Sequence, residues 1–269
     1  MTPPPQNAAV HLVLDANAVA APVHIAALTC LEIVDFYLSA LANADLSKKP
    51  PAFKGSFFNF RMTGPEMSAK DRRTMHESWI LAKAFHELLR GVRASLEQAF
   101  LFIDLVSTIP RTVKSESTLD DLTAPILKKA SDKNFPELLD YVNKSLQKPL
   151  DFLAAYQSLQ NARNCLEHRG GVVGKKDVDG ASPVMELSIP RMKVFYHRRG
   201  EEVEVQPGTR VNAEDGSETV ELMMRLDVRR HHYNLGDRLS FDLSDFNEIA
   251  FACYYFGSQL ASRLPALPK

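Results

Sequence analysis

The residues SAKDRRTMHESWILAKAFHELLRGVRASLEQAFLFIDLVST, Ser68 to Thr108, decide the fold. Within them Leu81, Phe85, Leu88, Val92, Leu96, Ala99, Ile103 and Val106 recur at spacings of three and four. One long helix would turn that stripe toward a bundle core. Ser68 with Asp71 three residues later is a capping arrangement, and Pro110 ends the run. Trp79 and the phenylalanines of this helix read as core.

On the N-terminal side, Ile25 to Ala42 repeats at helical spacing, with Ile25, Leu28, Leu31, Ile33, Val34 and Leu38 as the expected buried stripe. Leu46 to Pro65 reads as a loop, whose Phe53, Phe57, Phe58 and Phe60 are expected to pack on the bundle or a partner. On the C-terminal side, helices are expected at Leu119 to Ala130, Phe135 to Val142 and Pro149 to His168, the last stopped by Gly170 and Gly171. The pattern then changes. Val184 to Ile189, Met192 to His197, Val203 to Gln206 and Val220 to His231 favour strands, separated by turns such as Pro207-Gly208 and Glu214-Asp215-Gly216. A helix returns from Ser244, a candidate N-cap, to Arg263. The expected fold class is mainly α: one domain over 1–269, a helical bundle of 25–171 and 244–263 with a small antiparallel sheet or hairpin inserted at about 184–235.

Composition narrows the function. The 269 residues carry 32 Lys+Arg and 33 Asp+Glu, a net charge of -1, with 45% hydrophobic and 24% charged residues. Those are globular averages, and the balance removes the bulk positive field of a general nucleic-acid binder. Any phosphate binding must be local. Cys30, Cys165 and Cys253 are few and far apart, which argues against a disulfide framework and fits a reducing cytosol. The N-terminus lacks a secretory pattern, and the apolar run Ala99 to Val106 is too short to span a bilayer, so a cytoplasmic protein without membrane insertion is expected.

Chemistry concentrates in NARNCLEHRGG, Asn161 to Gly171. At about 100° per residue, Arg163, Asn164, Glu167 and His168 share one face of a helix end, opposite the apolar side. A solvated stripe with an Arg163–Glu167 pair would look the same. His168 lies in the last turn, where the helix dipole favours an imidazolium, and Arg163 offers a planar fork for a phosphate. Together they suit phosphodiester chemistry without a metal. Cys165, three residues before His168, falls on the apolar side and reads as core rather than as a nucleophile. His76-Glu77 and His86-Glu87 evoke metalloprotease fragments, but the histidines are about 15 Å apart along a helix and no HExxH is present. No phosphate-cradling or dinucleotide glycine motif occurs.

Arg163-Asn164-Cys165-Leu166-Glu167-His168 resembles the signature of HEPN domains: an arginine, commonly a polar residue next, and a histidine four to six residues after the arginine, near a helix end in a helical bundle. The same spacing at Arg191 with His197, and at Arg225 with His231 or His232, falls in predicted strands. The resemblance covers Ile25 to Gly171 and Ser244 to Arg263, and leaves out the strand-rich insertion. It implies a metal-independent endoribonuclease, without cofactor, of stress or phage defence, dimeric with the two motifs meeting at the interface, and possible restraint by an antitoxin or regulatory protein. His168 would act as general base or acid, Arg163 would bind the scissile phosphate, and Asn164 would position either. Arg169, Lys175 and Lys176, directly after the motif, are candidates for tracking the RNA backbone. The competing reading is a non-catalytic interaction module that binds RNA, a nucleotide or a protein, because Glu167 can neutralise the charge a phosphate needs.

Overall fold

The computed structural model describes residues 14–48, 66–108, 118–178, 183–205, 211 and 220–267. The chain runs α1 (Ala16–Ala42), α2 (Ala69–Thr108), α3 (Leu119–Ser131), α4 (Phe135–Ser145), α5 (Leu153–Arg169), β1 (Val184–Arg198), β2 (Glu201–Glu204), β3 (Met223–Asn234) and α6 (Leu243–Arg263). The fold is mainly helical with a small antiparallel sheet between α5 and α6, as the sequence pattern predicts. The phenylalanines of 46–65 and the turns 207–208 and 214–216 lie outside the described residues.

The α2 stripe is buried along nearly its whole length and meets α1, α3, α4, α5 and α6. Capping boxes fix the starts of α3 (Thr118 with Asp121), α4 (Asn134 with Glu137) and α6 (Asp242 with Asp245). Each satisfies two amides that a helix start leaves without partners. The α6 cap is therefore Asp242, two residues before the expected Ser244.

Helix α1 differs from expectation. It begins at Ala16 rather than Ile25, and Pro22 sits inside it. Its buried side is Val19, Ala20, Val23, Ala27, Cys30, Val34 and Leu41. Ile25 (64%), Leu28 and Ile33 of the expected stripe face outward, as does Phe36. The small residues Ala20, Ala27 and Cys30 were passed over as core, yet they are what lets α1 lie close to its neighbours. Trp79 is likewise exposed (56%) rather than core. By length and composition α1 is also apolar enough to cross a bilayer, with a window of mean hydropathy 1.7. The expectation built on Ala99 to Val106 overlooked the uncharged run Ala16 to Leu31.

The crossing of α1 with α2 and α6 centres on Val23, which is fully buried. Pro22 removes one amide from the helix ladder, and the next amide, Val23 N, donates to the buried Ser95 Oγ at 3.1 Å. Two glycines make room. A Cβ at Gly91 would stand 2.6 Å from Ala26 Cβ and 3.1 Å from Val23 Cα, and one at Gly257 would stand 2.5 Å from Val23 Cγ1.

The sheet order is β2-β1-β3, both pairings antiparallel. The two strands expected at 184–189 and 192–197 are one, because Pro190 sits in β1 without interrupting its pairing to β3. Met185, Leu187 and Ile189 of β1 join the bundle core, and α5 and α6 both pack on β1. Farther along the same face the core gives way to charge. Arg191 contacts Glu204, Asp227 and Glu248, Lys193 contacts Glu202 and Glu204, and Arg229 pairs with Glu248 of α6.

Ser95→Ala removes the buried hydroxyl that accepts from the Val23 amide and should cost about 1–3 kcal/mol. Gly91→Ala overpacks the crossing and should cost about the same. Thermal unfolding should show each as a drop of several degrees, whereas Gly200→Ala, where no atom lies near the added Cβ, should pay only for its left-handed backbone.

A hydrogen bond from Arg191 holds Glu204 below the usual carboxylate range, and one from Lys193 does the same for Glu202. Their stabilisation is present above the unfolded value of about 4.3 and is lost as pH falls through the lower folded values. The thermal midpoint should therefore fall between pH 6 and pH 3, and Glu204→Gln should flatten that slope.

Candidate functional site

Helix α5 carries the site at its C-terminal end. Ala155, Tyr156, Leu159, Ala162 and Cys165 bury one side, which leaves Arg163, Asn164, Glu167 and His168 on the opposite arc. The helix stops at Gly170, whose φ of 60° is left-handed, and Gly171 N donates to Cys165 O at 3.1 Å. Beyond the stop, the main chain is pinned to the segment that enters α6. Leu239 N donates to Gly171 O at 2.7 Å, Val173 N to Asp237 O, and Gly236 N to Val173 O. The insertion is thus closed at its base, directly under the last turn of α5.

The polar side chains converge on Glu167. Its Oε2 lies 2.7 Å from Arg163 Nη2 and 3.8 Å from His168 Nε2. Its Oε1 lies 4.0 Å from His86 Nδ1, contributed by α2. Asn164 Oδ1 accepts from Gln160 Nε2 at 3.1 Å and from Arg163 Nη1 at 3.4 Å, so it orients the arginine. Arg163 is half-buried, whereas His168 is 61% exposed at the side chain. One guanidinium and two imidazole rings thus surround a single carboxylate.

Arg163, Asn164 and His168 lie together at the end of α5, whereas Arg169 is turned to another partner. The Arg169 guanidinium is held by Asp177, whose carboxylate is buried and also accepts from Gly174 N, so this arginine ties down the turn after α5. Lys175 and Lys176 are exposed on that turn. Cys165 is fully buried, and burial, followed by the nearby Asp177, pushes its thiol above the ordinary range, in keeping with a core role. His86 was missed. It stands 81 residues upstream, and only the packing of α2 on α5 brings it here. Its position on the polar flank of the α2 stripe was the sole signal available.

Two concavities adjoin Arg163. A small one, of about 270 Å³, is lined by Lys83, His86, Arg163 and Glu167 over Phe85 and Leu166. A larger groove, of about 870 Å³, runs between α1 and α2 past Ile25, Ile33 and Gly91 to Gln160 and Arg163. The arginines along it are already paired, Arg90 with Glu87 and Arg93 with Glu97. Among the described residues no three His, Cys, Asp or Glu side chains gather as a metal site.

Comparison of the chain with protein-family models, with curated proteins and with solved structures finds no match in any of the three.

Proposed function

We propose that the chain is an endoribonuclease of the HEPN type, which cleaves RNA without a metal or other cofactor. The observation that carries this reading is the convergence of Arg163 and His168 on one oxygen of Glu167. A phosphate oxygen brought to that position would meet the same arginine fork and the same imidazole. Arg163 binds the scissile phosphate and stabilises the charge that builds on it, and Asn164 holds the arginine. Neutral His168 takes the proton from the ribose 2'-hydroxyl. The 2'-oxygen attacks phosphorus, the bond to the 5'-oxygen breaks, and that oxygen leaves with a proton from a second acid, giving a 2',3'-cyclic phosphate.

One histidine cannot be base and acid in the same turnover. A two-fold homodimer with a composite active site supplies a second His168, and the resemblance favours that arrangement. His86, on the other oxygen of Glu167, is a second imidazole within the same chain. The cytoplasm is the proposed setting, with α1 serving as a bundle helix. A role in stress or phage defence, under an antitoxin or other regulatory protein, rests on the family analogy alone.

A second reading is favoured by the large groove. Its cations are neutralised and its walls carry Ile25 and Ile33. That lining suits an apolar protein segment better than a phosphate chain, as in a non-catalytic interaction module.

Purified protein with mixed-sequence RNA in excess EDTA should yield fragments with cyclic-phosphate ends, and Arg163→Ala or His168→Ala should abolish them while leaving folding intact. His86→Ala should slow cleavage about 10²-fold if it carries the second proton. Glu167→Gln should tighten RNA binding by removing the competing carboxylate. If folded wild-type protein leaves the RNA whole, the nuclease reading falls and the interaction module replaces it.

A further inference from the structure

The outer edge of the sheet carries an inference independent of the α5 site. β3 is the edge strand, 12 residues long, and none of its residues is buried. Among the described residues its main chain pairs with β1 and has no partner strand on its outer side. Long exposed edges are ordinarily blunted by charged side chains, proline or a bulge. β3, MMRLDVRRHHYN, has no proline, glycine or lysine, and its register with β1 is unbroken from Met223 to Asn234. Its arginines do not guard it by free charge either. Arg225 is bound by Glu202, Arg229 by Glu248 and Arg230 by Glu186.

The face of β3 turned away from α5 and α6 is apolar near this edge. In register, Pro190 faces Val228, Met192 faces Leu226, and Val194 faces Met224. Met224 (70%) and Leu226 (37%) are exposed there, beside Met192. A strand added to the edge would extend this strip while satisfying the open main-chain groups.

We propose that the occupant is the β3 strand of a second copy of this chain, paired antiparallel about a two-fold axis at Leu226, so that two three-stranded sheets become one of six. The sequence of β3 is self-complementary in that register. Leu226 meets its own counterpart, Met224 meets Val228 of the second copy, and Arg225 meets Asp227 of the second copy. Such a two-fold axis stands normal to the sheet, so only registers centred on a residue are allowed. Centring on Arg225 opposes Arg225 to itself. Centring on Asp227 opposes Asp227 to itself and Arg225 to Arg229. Centring on Val228 sets Leu226 against Arg230. Like charges directly opposite one another destabilise a strand pair. The Leu226 register sets no like charges opposite, pairs Leu226, Met224 and Val228 with apolar residues and Arg225 with Asp227, and leaves Met223 against Arg229 at the ends as its mismatch.

Cross-linking of the full chain tests both the partner and the register. Directly opposite residues have Cβ atoms about 4.5–5.5 Å apart, close to disulfide reach, whereas residue 224 and its counterpart would be about 13 Å apart. Under mild oxidation Leu226→Cys should form a disulfide-linked dimer. Met224→Cys alone should not, but mixed with Val228→Cys it should. The native Cys30, Cys165 and Cys253 are buried, so wild-type protein is the unlinked control. In sedimentation at micromolar concentration, Leu226→Lys should halve the mass of the wild-type assembly with unchanged circular dichroism, whether or not copies also pair through α5. A monomeric wild type, an assembly mass that Leu226→Lys leaves unchanged, or equal linking of Met224→Cys and Leu226→Cys would each overturn the proposal. Loss of the folded dichroism in Leu226→Lys would pass the decision to the cysteine variants, whose replacements are smaller and uncharged at unburied positions.

Discussion

Val23 sits where three helices cross, and the geometry of that crossing governs the bundle. On one side the crossing holds Gly91 and Ser95 of α2, and on the other Gly257 of α6. A helix carrying an internal proline leaves backbone polar groups without their usual partners, and burial makes that costly. Here a buried serine hydroxyl accepts the amide next to the proline. The same approach that brings Ser95 within hydrogen-bond distance forbids side chains at Gly91 and Gly257. Close contact, capped polarity and absent side chains are one constraint. It also decides which face of α1 turns outward, and so why Ile25, Ile33 and Phe36 are left uncovered by the rest of the bundle.

How far the sequence was legible depends on what carried the signal. The α2 stripe is long and made of large residues, so its periodicity is unmistakable, and α3 to α6 follow from short apolar repeats with caps and glycine stops. In α1 the periodicity misleads, because its core face is built from alanine, valine and cysteine while its larger residues point outward. Hydrophobic size is then a poor guide to burial, since the shape of the crossing selects small residues. Pro190 misleads for a different reason. It reads as a break between two strands, yet it lies within the pairing of β1 and β3. Arg163, Asn164 and His168 were legible because they share one turn of helix. His86 was not, because nothing local links a residue of α2 to the end of α5.

The two faces of the sheet solve different problems. Near α5 and α6 its inner face is apolar and continues the bundle core. Beyond Ile189 that face carries Arg191, Lys193, Arg225 and Arg229 against Glu202, Glu204, Asp227 and Glu248. Desolvating such pairs offsets much of their attraction, so the network adds little net stability. What it adds is register. Sliding β1 by one residue against β3 would bring Arg191 away from Asp227 and would turn every side chain of the strand to the opposite face. The bidentate contact of Arg229 with Glu248 then fixes the sheet to α6 in one orientation. Arg191 Nε, buried and without a partner among the described residues, marks where this fit is incomplete.

Electrostatics at the end of α5 turns on Glu167. With that carboxylate in place, the arginine is neutralised and an incoming phosphate meets no net attraction. The contact is an i,i+4 pair near the surface, worth about 0.3–0.5 kcal/mol. A phosphate that forms two charge-assisted hydrogen bonds to the same guanidinium gains more than that. Displacement of Glu167 is therefore inexpensive, and on the proposed reading the glutamate is a weak placeholder for the phosphate at Arg163. A carboxylate bound more deeply would have closed the site. The partial exposure of Glu167 is what keeps a phosphodiester reading physically open, while the neutralised, apolar groove beside it limits how much of an RNA chain that one position can hold.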